Sequence, residues 1–236
     1  MAILEKESPM FAGHMGVGLA LGRAERRVNV GVFIAAGLLL DLLLWLFVLL
    51  GWETVTLPAD FARTHQPEFI FPYSHGLLAA VGWSALAGAA AFAAYGRLGA
   101  ARMRIASLVA AAVFSHWLLD ALVHRPEMPL ASPGSATVGG GLWQNMPIAM
   151  AVEAAIVVVG LGLFLRGCRL SRRKRAALAM LSLIVLAFTV VGMTMAPPPP
   201  SAQAMAASSL AVLVLVCALA GWLARPLGGP WPTTRR

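Results

Sequence analysis

One apolar segment carries three ionisable side chains at intervals of four residues, namely His116, Asp120 and His124. On an α-helix this spacing places all three on one face, each one turn above the last. An ionisable group in hydrocarbon is costly unless it is paired, hydrated or bound to an ion. Imidazole and carboxylate groups at i and i+4 can hold one metal ion from a single helix. The alternative is a polar stripe that joins helices or lines a water-filled vestibule.

Four more ionisable side chains interrupt other apolar segments. His14 lies in a short apolar run, Asp41 and Glu153 lie near the middle of two long runs, and His75 opens another. Their depths, counted at about 1.5 Å per residue from the nearest arginines, are compatible with one shared site. Imidazoles and carboxylates without thiolates suit zinc best here, with manganese or iron as alternatives. We therefore expect a divalent metal site formed by His14, Asp41, His75, His116 and Asp120.

Several of these residues also have an ordinary structural explanation. His14 could be a hydrogen-bonded packing residue, and Asp41 could simply pair with a histidine or a backbone N–H group. His75 could be a hydrated residue at the membrane interface. Glu153 suits proton transfer better than metal ligation, and together with His124 it is our candidate catalytic group.

The elements that position these residues are expected to be membrane-spanning helices. The chain of 236 residues is 59% hydrophobic and only 12% charged, which is typical of a polytopic membrane protein and too apolar for a soluble globule. The apolar segments predict an all-α bundle of about six transmembrane spans plus an N-terminal half-helix. The half-helix is predicted over 11–22, and the spans over 28–52, 70–95, 105–124, 142–165, 176–196 and 202–224.

Basic residues cluster in three short segments between apolar runs, at 23–27, 97–104 and 166–175. Such clusters mark cytoplasmic loops, so we expect all three, and both termini, on the cytoplasmic side of a bacterial inner membrane. The net charge of +8 resides largely in these clusters and does not indicate nucleic-acid binding. No signal peptide is predicted, because the start lacks a basic segment and a cleavage motif. Cys168 and Cys217 lie in unlike surroundings, so neither a disulfide nor a thiolate site is expected.

The embedded ionisable residues divide the chain into two parts. Residues 1–165 contain all of them and form the predicted His/Asp site domain of four spans plus the half-helix. Residues 166–236 form a transmembrane helical pair without any such residue. This pair is expected to act as a scaffold or as a docking surface for another membrane protein.

Several short motifs lie around the ionisable residues. They are Phe-Ala-Gly-His at 11–14, Leu-Leu-Asp at 39–41, Pro-Tyr-Ser-His-Gly at 72–76, Ser-His-Trp-Leu-Leu-Asp at 115–120, His-Arg-Pro-Glu at 124–127 and Leu-Trp-Gln-Asn at 142–145. Over 10–165 the chain resembles a family of bacterial inner-membrane proteins described as predicted membrane-bound metal-dependent hydrolases. The resemblance implies a helical membrane fold with a His/Asp metal centre. The chain departs from the family pattern at Asp41, which stands alone where relatives often have paired aspartates, and at Tyr-Ser-His, where they have Thr-His-Ser.

These observations predict a membrane-embedded metal-dependent hydrolase. Its substrate is expected to be a membrane lipid or lipid-like molecule, an amphiphilic ester or phosphoester that reaches the site from the bilayer. Glu153 or His124 would relay the proton. An ion- or proton-coupled permease and a non-catalytic subunit of a membrane complex are the alternatives, because the same side chains could bind a transported ion or join helices.

Overall fold

The computed structural model describes residues 11–64, 67–168 and 170–225, and these residues form a helical bundle. The predicted all-α fold is confirmed. His65, which the sequence places in a polar loop, lies outside the described residues. The helices are α1 (Phe11–Ala24), α2 (Val30–Gly37), α3 (Leu39–Leu49), α4 (Phe61–Thr64), α5 (Leu77–Ala94), α6 (Ala101–Val123), α7 (Met146–Gly167), α8 (Arg172–Thr194) and α9 (Ala202–Leu223).

Five helices are long and apolar enough to cross a membrane, namely α5 to α9. A sixth span results if α2 and α3 are counted together, although they are bent by 53° at their junction. The protein is therefore a multi-pass membrane protein with five or six candidate spans, where six were expected. The prediction of one uninterrupted helix over 28–52 is wrong, because the helix breaks at Leu38, between α2 and α3.

Capping side chains set the start of several spans. Asn29 accepts a hydrogen bond from the Gly31 N–H group at the start of α2, and Ser171 and Ser201 cap α8 and α9 in the same way. Such caps satisfy backbone donors that have no partner inside the helix. The Ser171 cap explains why α8 begins at Arg172, four residues before the apolar run in the sequence.

The short helix α1 is enclosed by the bundle and packs mainly against α7 and α2. Its 14 residues span about 21 Å, which is too short to cross the hydrocarbon core. A Cβ atom at Gly16 would lie 2.7 Å from the Ile156 carbonyl oxygen, and one at Gly160 would nearly overlap the Gly16 carbonyl group. These glycines allow the backbones of α1 and α7 to touch. The predicted half-helix is confirmed as an internal element.

Two small β-hairpins lie at the end of the bundle where α3 and α6 finish. Strands β1 (Thr54–Thr56) and β2 (Glu68–Ile70) form one, and β3 (Met128–Pro129) and β4 (Thr137–Val138) form the other. The sequence predicted only loops here, and it placed the start of the second span at residue 70. The helix α5 begins seven residues later, because the segment between β2 and α5 forms a turn that carries His75.

The three basic clusters meet at the opposite end of the bundle. The Arg104 guanidinium donates to the Ala24 carbonyl oxygen at 2.9 Å, and the end of α7 at Gly167 lies against the Arg23 side chain. Lys174 donates to the Arg225 carbonyl oxygen at 2.6 Å. The prediction that these clusters share one side of the protein is confirmed, and their cytoplasmic location stays a prediction.

The C-terminal helices pack directly on the first half of the chain. Asn29 donates to the Gly221 carbonyl oxygen at 2.9 Å, and a Cβ atom at Gly31 would lie 2.5 Å from the Gly221 Cα atom. Buried side chains of α8 and α9 belong to the same hydrophobic core as those of α1 to α3. The outer faces of α8 and α9 expose large apolar side chains, as expected for helices surrounded by lipid; these include Met180, Leu183, Ile184, Phe188, Val214 and Leu215.

Candidate metal centre

All five predicted metal ligands lie together in the interior of the bundle. His14 comes from α1, Asp41 from the first turn of α3, and His75 from the turn before α5, while His116 and Asp120 lie one turn apart on α6. None exposes more than 4% of its surface. The site lies in the half of the bundle away from the arginine clusters, since His116 is twelve residues, or about 18 Å, along α6 from Arg104.

Four side-chain atoms converge on one point. The Nε2 atoms of His75 and His116 lie 3.1 Å apart. The Asp120 Oδ2 atom lies 3.2 Å from His75 Nε2 and 3.1 Å from His116 Nε2. The Asp41 Oδ1 atom lies 3.7 Å from both. The prediction that His116 and Asp120 face Asp41 and His75 in a shared pocket is confirmed.

These spacings match the ligand cage of a small tetrahedral ion. Zinc binds nitrogen and oxygen ligands at about 2.0–2.1 Å, which places the ligand atoms of a tetrahedron about 3.3–3.4 Å from one another. Five of the six separations among the four atoms are known, and at 3.1 to 3.7 Å they lie on both sides of that value. The two imidazole rings are inclined by 66°, so their Nε2 lone pairs can point at a common centre.

The backbone fixes the proton of His116 on the nitrogen that faces away from the cluster. The His116 Nδ1 atom lies 2.7 Å from the carbonyl oxygen of Gly37, the last residue of α2. A carbonyl oxygen only accepts hydrogen bonds, so Nδ1 carries a proton, and in the neutral imidazole Nε2 keeps its lone pair. The helix break at Leu38 thus places a backbone acceptor directly behind His116. This arrangement is common behind metal-bound histidines.

A buried serine and a buried glutamate fix the proton of His75 in the same way. The Ser74 hydroxyl donates to Glu53 Oε2 at 2.7 Å and lies 2.8 Å from His75 Nδ1. The hydroxyl proton is used by Glu53, so Ser74 accepts from the Nδ1–H group and His75 Nε2 keeps its lone pair. The Trp117 indole further anchors this turn by donating to the His75 carbonyl oxygen at 3.0 Å.

Glu53 organises the turn that carries His75, a role that the sequence did not suggest. Its Oε1 atom accepts from the Tyr73 and Ser74 N–H groups, both at 2.8 Å. Burial raises the pKa of the Glu53 carboxyl above its ordinary value, and the hydrogen bonds from Ser74 and Tyr73 oppose that rise. Accepting three hydrogen bonds favours the ionised form of the carboxyl group. The one signal in the sequence was an acidic residue directly after a span, in a segment that otherwise resembles an ordinary polar loop.

The donor set requires positive charge at its centre. Two imidazole nitrogens and two carboxylates face one another in a dry interior, where either a bound cation or a proton on an imidazole would supply the positive charge. No described Lys or Arg side chain pairs with Asp41 or Asp120. The buried His/Asp cluster could therefore hold a metal ion, and the residues present fit one.

The two candidate catalytic residues lie outside the four converging atoms. Glu153 on α7 accepts from the Gly13 N–H group at 2.7 Å through Oε2, so it caps the first turn of α1 beside His14. His124 ends α6 and lies 2.6 Å from Glu127 through Nδ1, with its ring against Trp143. Neither role is tested by this geometry. Both residues lie at the edge of the cluster, where they could transfer protons.

The sequence matches no protein-family model. No curated protein and no solved structure matches it either. The proposed function is therefore inferred from the geometry of the His/Asp cluster.

Proposed function

We propose that this protein is a metal-dependent hydrolase of the bacterial cytoplasmic membrane. The observation that carries the proposal is the close approach of two aspartate oxygens to a pair of histidine Nε2 atoms, each oxygen within 3.1 to 3.7 Å of both nitrogens. In both histidines the other ring nitrogen is already engaged, by Gly37 and by Ser74. In a site built only to join helices, one of the two Nε2 atoms would donate to the other across the 3.1 Å that separates them, whereas a metal site uses the lone pairs of both. The resemblance to predicted membrane-bound metal-dependent hydrolases implies the same activity.

Zinc is the ion that this donor set suits best, with manganese or iron as alternatives. A divalent ion would polarise a carbonyl or phosphoryl oxygen and lower the pKa of a nearby water. The chain's own contribution is to hold the four donor atoms in place, to exclude bulk water, and to offer Glu153 and His124 as proton acceptors. Because the site is enclosed among membrane helices, the substrate we favour is an amphiphilic ester or phosphoester that enters from the lipid.

The first test is the metal content of the full chain purified in detergent, measured alongside hydrolysis of lipid-like esters and phosphoesters. We expect stoichiometric metal and hydrolysis that chelation abolishes. His116→Ala should lose both while its elution volume and helicity are unchanged, because packing and backbone hydrogen bonds hold the spans together. His65→Ala is the matched control and should keep both. Wild-type protein with neither metal nor hydrolysis would refute the proposal.

One structural feature favours the permease alternative. The span formed by α2 and α3 is broken beside the cluster, and broken helices form the ion sites of many transporters. Proteoliposomes separate the two functions. Metal-dependent ion or proton flux without hydrolysis would support a permease. A wild-type protein that shows neither flux nor hydrolysis, and whose His116→Ala variant loses only its association with another membrane protein, would identify a non-catalytic subunit.

A further inference from the structure

His14 lies beside the cluster but on the other oxygen of the Asp120 carboxylate. The His14 Nε2 atom is 3.1 Å from Asp120 Oδ1, whereas His75 and His116 contact Oδ2. The His14 and His116 rings are stacked, with centroids 3.7 Å apart and planes only 9° from parallel. One carboxylate therefore presents its two oxygens to two parallel imidazoles.

Stacked imidazoles are poorly oriented to bind the same ion, even though the ligand atoms of His14, His116 and Asp120 lie within 4.8 Å of one another. The nitrogen lone pair lies in the plane of its ring, so a bound ion must lie close to that plane. An ion halfway between the two rings would lie about 1.9 Å out of each plane, nearly as far as the whole metal–nitrogen bond of about 2.0–2.1 Å. His116 already faces the four-atom cage with His75. His14 is therefore directed at a different position.

The side of the cluster next to His14 also has polar atoms without partners. In the described part of the chain, four buried side-chain nitrogen or oxygen atoms lack a hydrogen-bond partner, and three of them are His14 Nδ1, Asp120 Oδ1 and Glu153 Oε1. The close contact between His14 Nε2 and Asp120 Oδ1 thus lacks the geometry of a hydrogen bond. Unpartnered polar atoms are rare in protein interiors and indicate a missing ion or water.

The buried carboxyl groups near His14 also favour a second cation. Asp41, Asp120 and Glu153 are three buried carboxyl groups, and none of them forms an ion pair with a Lys or Arg side chain of the described residues. A cation beside His14 and Asp120 would give the unpartnered Asp120 Oδ1 atom a positively charged partner.

We infer that the cluster binds two divalent cations, with the carboxylate of Asp120 bridging them. The first position is the cage of His75, His116, Asp41 and Asp120 Oδ2. The second is formed by His14 Nε2 and Asp120 Oδ1, with its other coordination positions open to water or substrate. Two ions that each lie in the plane of one ring would be separated by at least roughly the spacing of the planes, which the 3.7 Å centroid distance bounds, and this is compatible with the separation of about 3.5–4 Å in two-metal hydrolytic sites. This inference rests on the proposed function and deepens it, because two-ion sites commonly act on phosphoesters.

Manganese provides a direct test, because it is paramagnetic and two bridged Mn²⁺ ions couple magnetically. Purified full-length protein, first stripped with a chelator, is titrated with Mn²⁺ and measured by elemental analysis and electron paramagnetic resonance. We expect two equivalents and a coupled multiline spectrum. His14→Ala should bind one equivalent with an uncoupled six-line spectrum. Ser84→Ala, at a buried serine whose hydroxyl donates to the Ala80 carbonyl oxygen, is the control and should keep two equivalents.

The outcomes distinguish the two proposals. One equivalent in the wild type, unchanged in His14→Ala, would refute the second position and leave the single-ion hydrolase standing. Two equivalents without magnetic coupling would refute the bridging role of Asp120. Absence of Mn²⁺ binding, repeated with Zn²⁺, would refute both the second position and the proposed function.

Discussion

The hydrogen bond from Ser74 to His75 offers a sharp test of how the metal centre is built. In Ser74→Ala, His75 Nδ1 loses the oxygen that lies 2.8 Å away. His75 is buried, so its Nδ1–H group would be left without a partner at a cost of about 1–3 kcal/mol. The ring can avoid that cost by moving its proton to Nε2, which is the atom that must face the metal.

Either response weakens metal binding, and the expected size follows from these numbers. Partners of metal-bound histidines typically contribute about 10–100-fold to metal affinity, which is about 1.4–2.8 kcal/mol. This range agrees with the cost of one unsatisfied buried N–H group. The Glu53 carboxylate keeps its two backbone hydrogen bonds from Tyr73 and Ser74. The turn should therefore stay folded, and the effect should be confined to His75.

The assay is competition between the purified protein and a zinc chelator of known affinity. We expect the zinc affinity of Ser74→Ala to fall about 10–100-fold, while its thermal stability changes little. Ser84→Ala is the matched control. Ser84 is also a buried serine, but its hydroxyl donates to the Ala80 carbonyl oxygen within α5, and its loss should leave the zinc affinity unchanged. Equal zinc affinities for the two variants would refute the role of Ser74 and Glu53.

Three further predictions concern other parts of the molecule. Glu153→Gln should keep the bound metal but slow hydrolysis, because the amide can still accept from the Gly13 N–H group yet cannot accept a proton. Metal analysis together with turnover measurement checks this prediction. Loss of the metal would contradict it. Cysteines placed in loops 53–69 and 127–141 should react with an impermeant reagent in intact cells, whereas protection of both loops would contradict the topology. The hydrogen bond from Arg27 lowers the pKa of the Glu25 carboxyl, so their contact stabilises the fold at neutral pH, and this contribution is lost as the pH falls through that lowered pKa. The difference in melting temperature between wild type and Arg27→Gln should therefore shrink in acid, and a constant difference would exclude this pair as its source.

The sequence predicted the parts of the fold that depend on local composition. Long apolar runs defined α6 to α9 to within about four residues and placed the end of α5, and the run at 11–22 was recognised as too short to span. The i, i+4 spacing placed His116 and Asp120 on one face of α6. These features follow from helix periodicity and hydropathy, which a sequence displays directly.

The missed features depend on contacts between distant segments. The break at Leu38 lies in a run of apolar residues without proline, and the carbonyl oxygen that it presents is used by His116, 79 residues away. Glu53 lies in a segment of ordinary loop composition, and its partner Ser74 is 21 residues further along. Rotation about each helix axis is also a tertiary property. For that reason the sequence could place His14 at a suitable depth but could not show that its ring stacks on His116.

The enclosed helix α1 has a consequence for how the chain is made. It leaves the ribosome before α7, and the Glu153 carboxylate that caps it is 140 residues beyond Gly13. Because α1 is too short to span the bilayer, we expect it to reach its enclosed position only after α7 has been inserted and can supply Glu153. Truncated nascent chains that end before α7 should therefore leave α1 open to proteolysis, and those that extend beyond α7 should protect it. We therefore expect the His/Asp cluster to become enclosed late in synthesis, after α7 has been inserted.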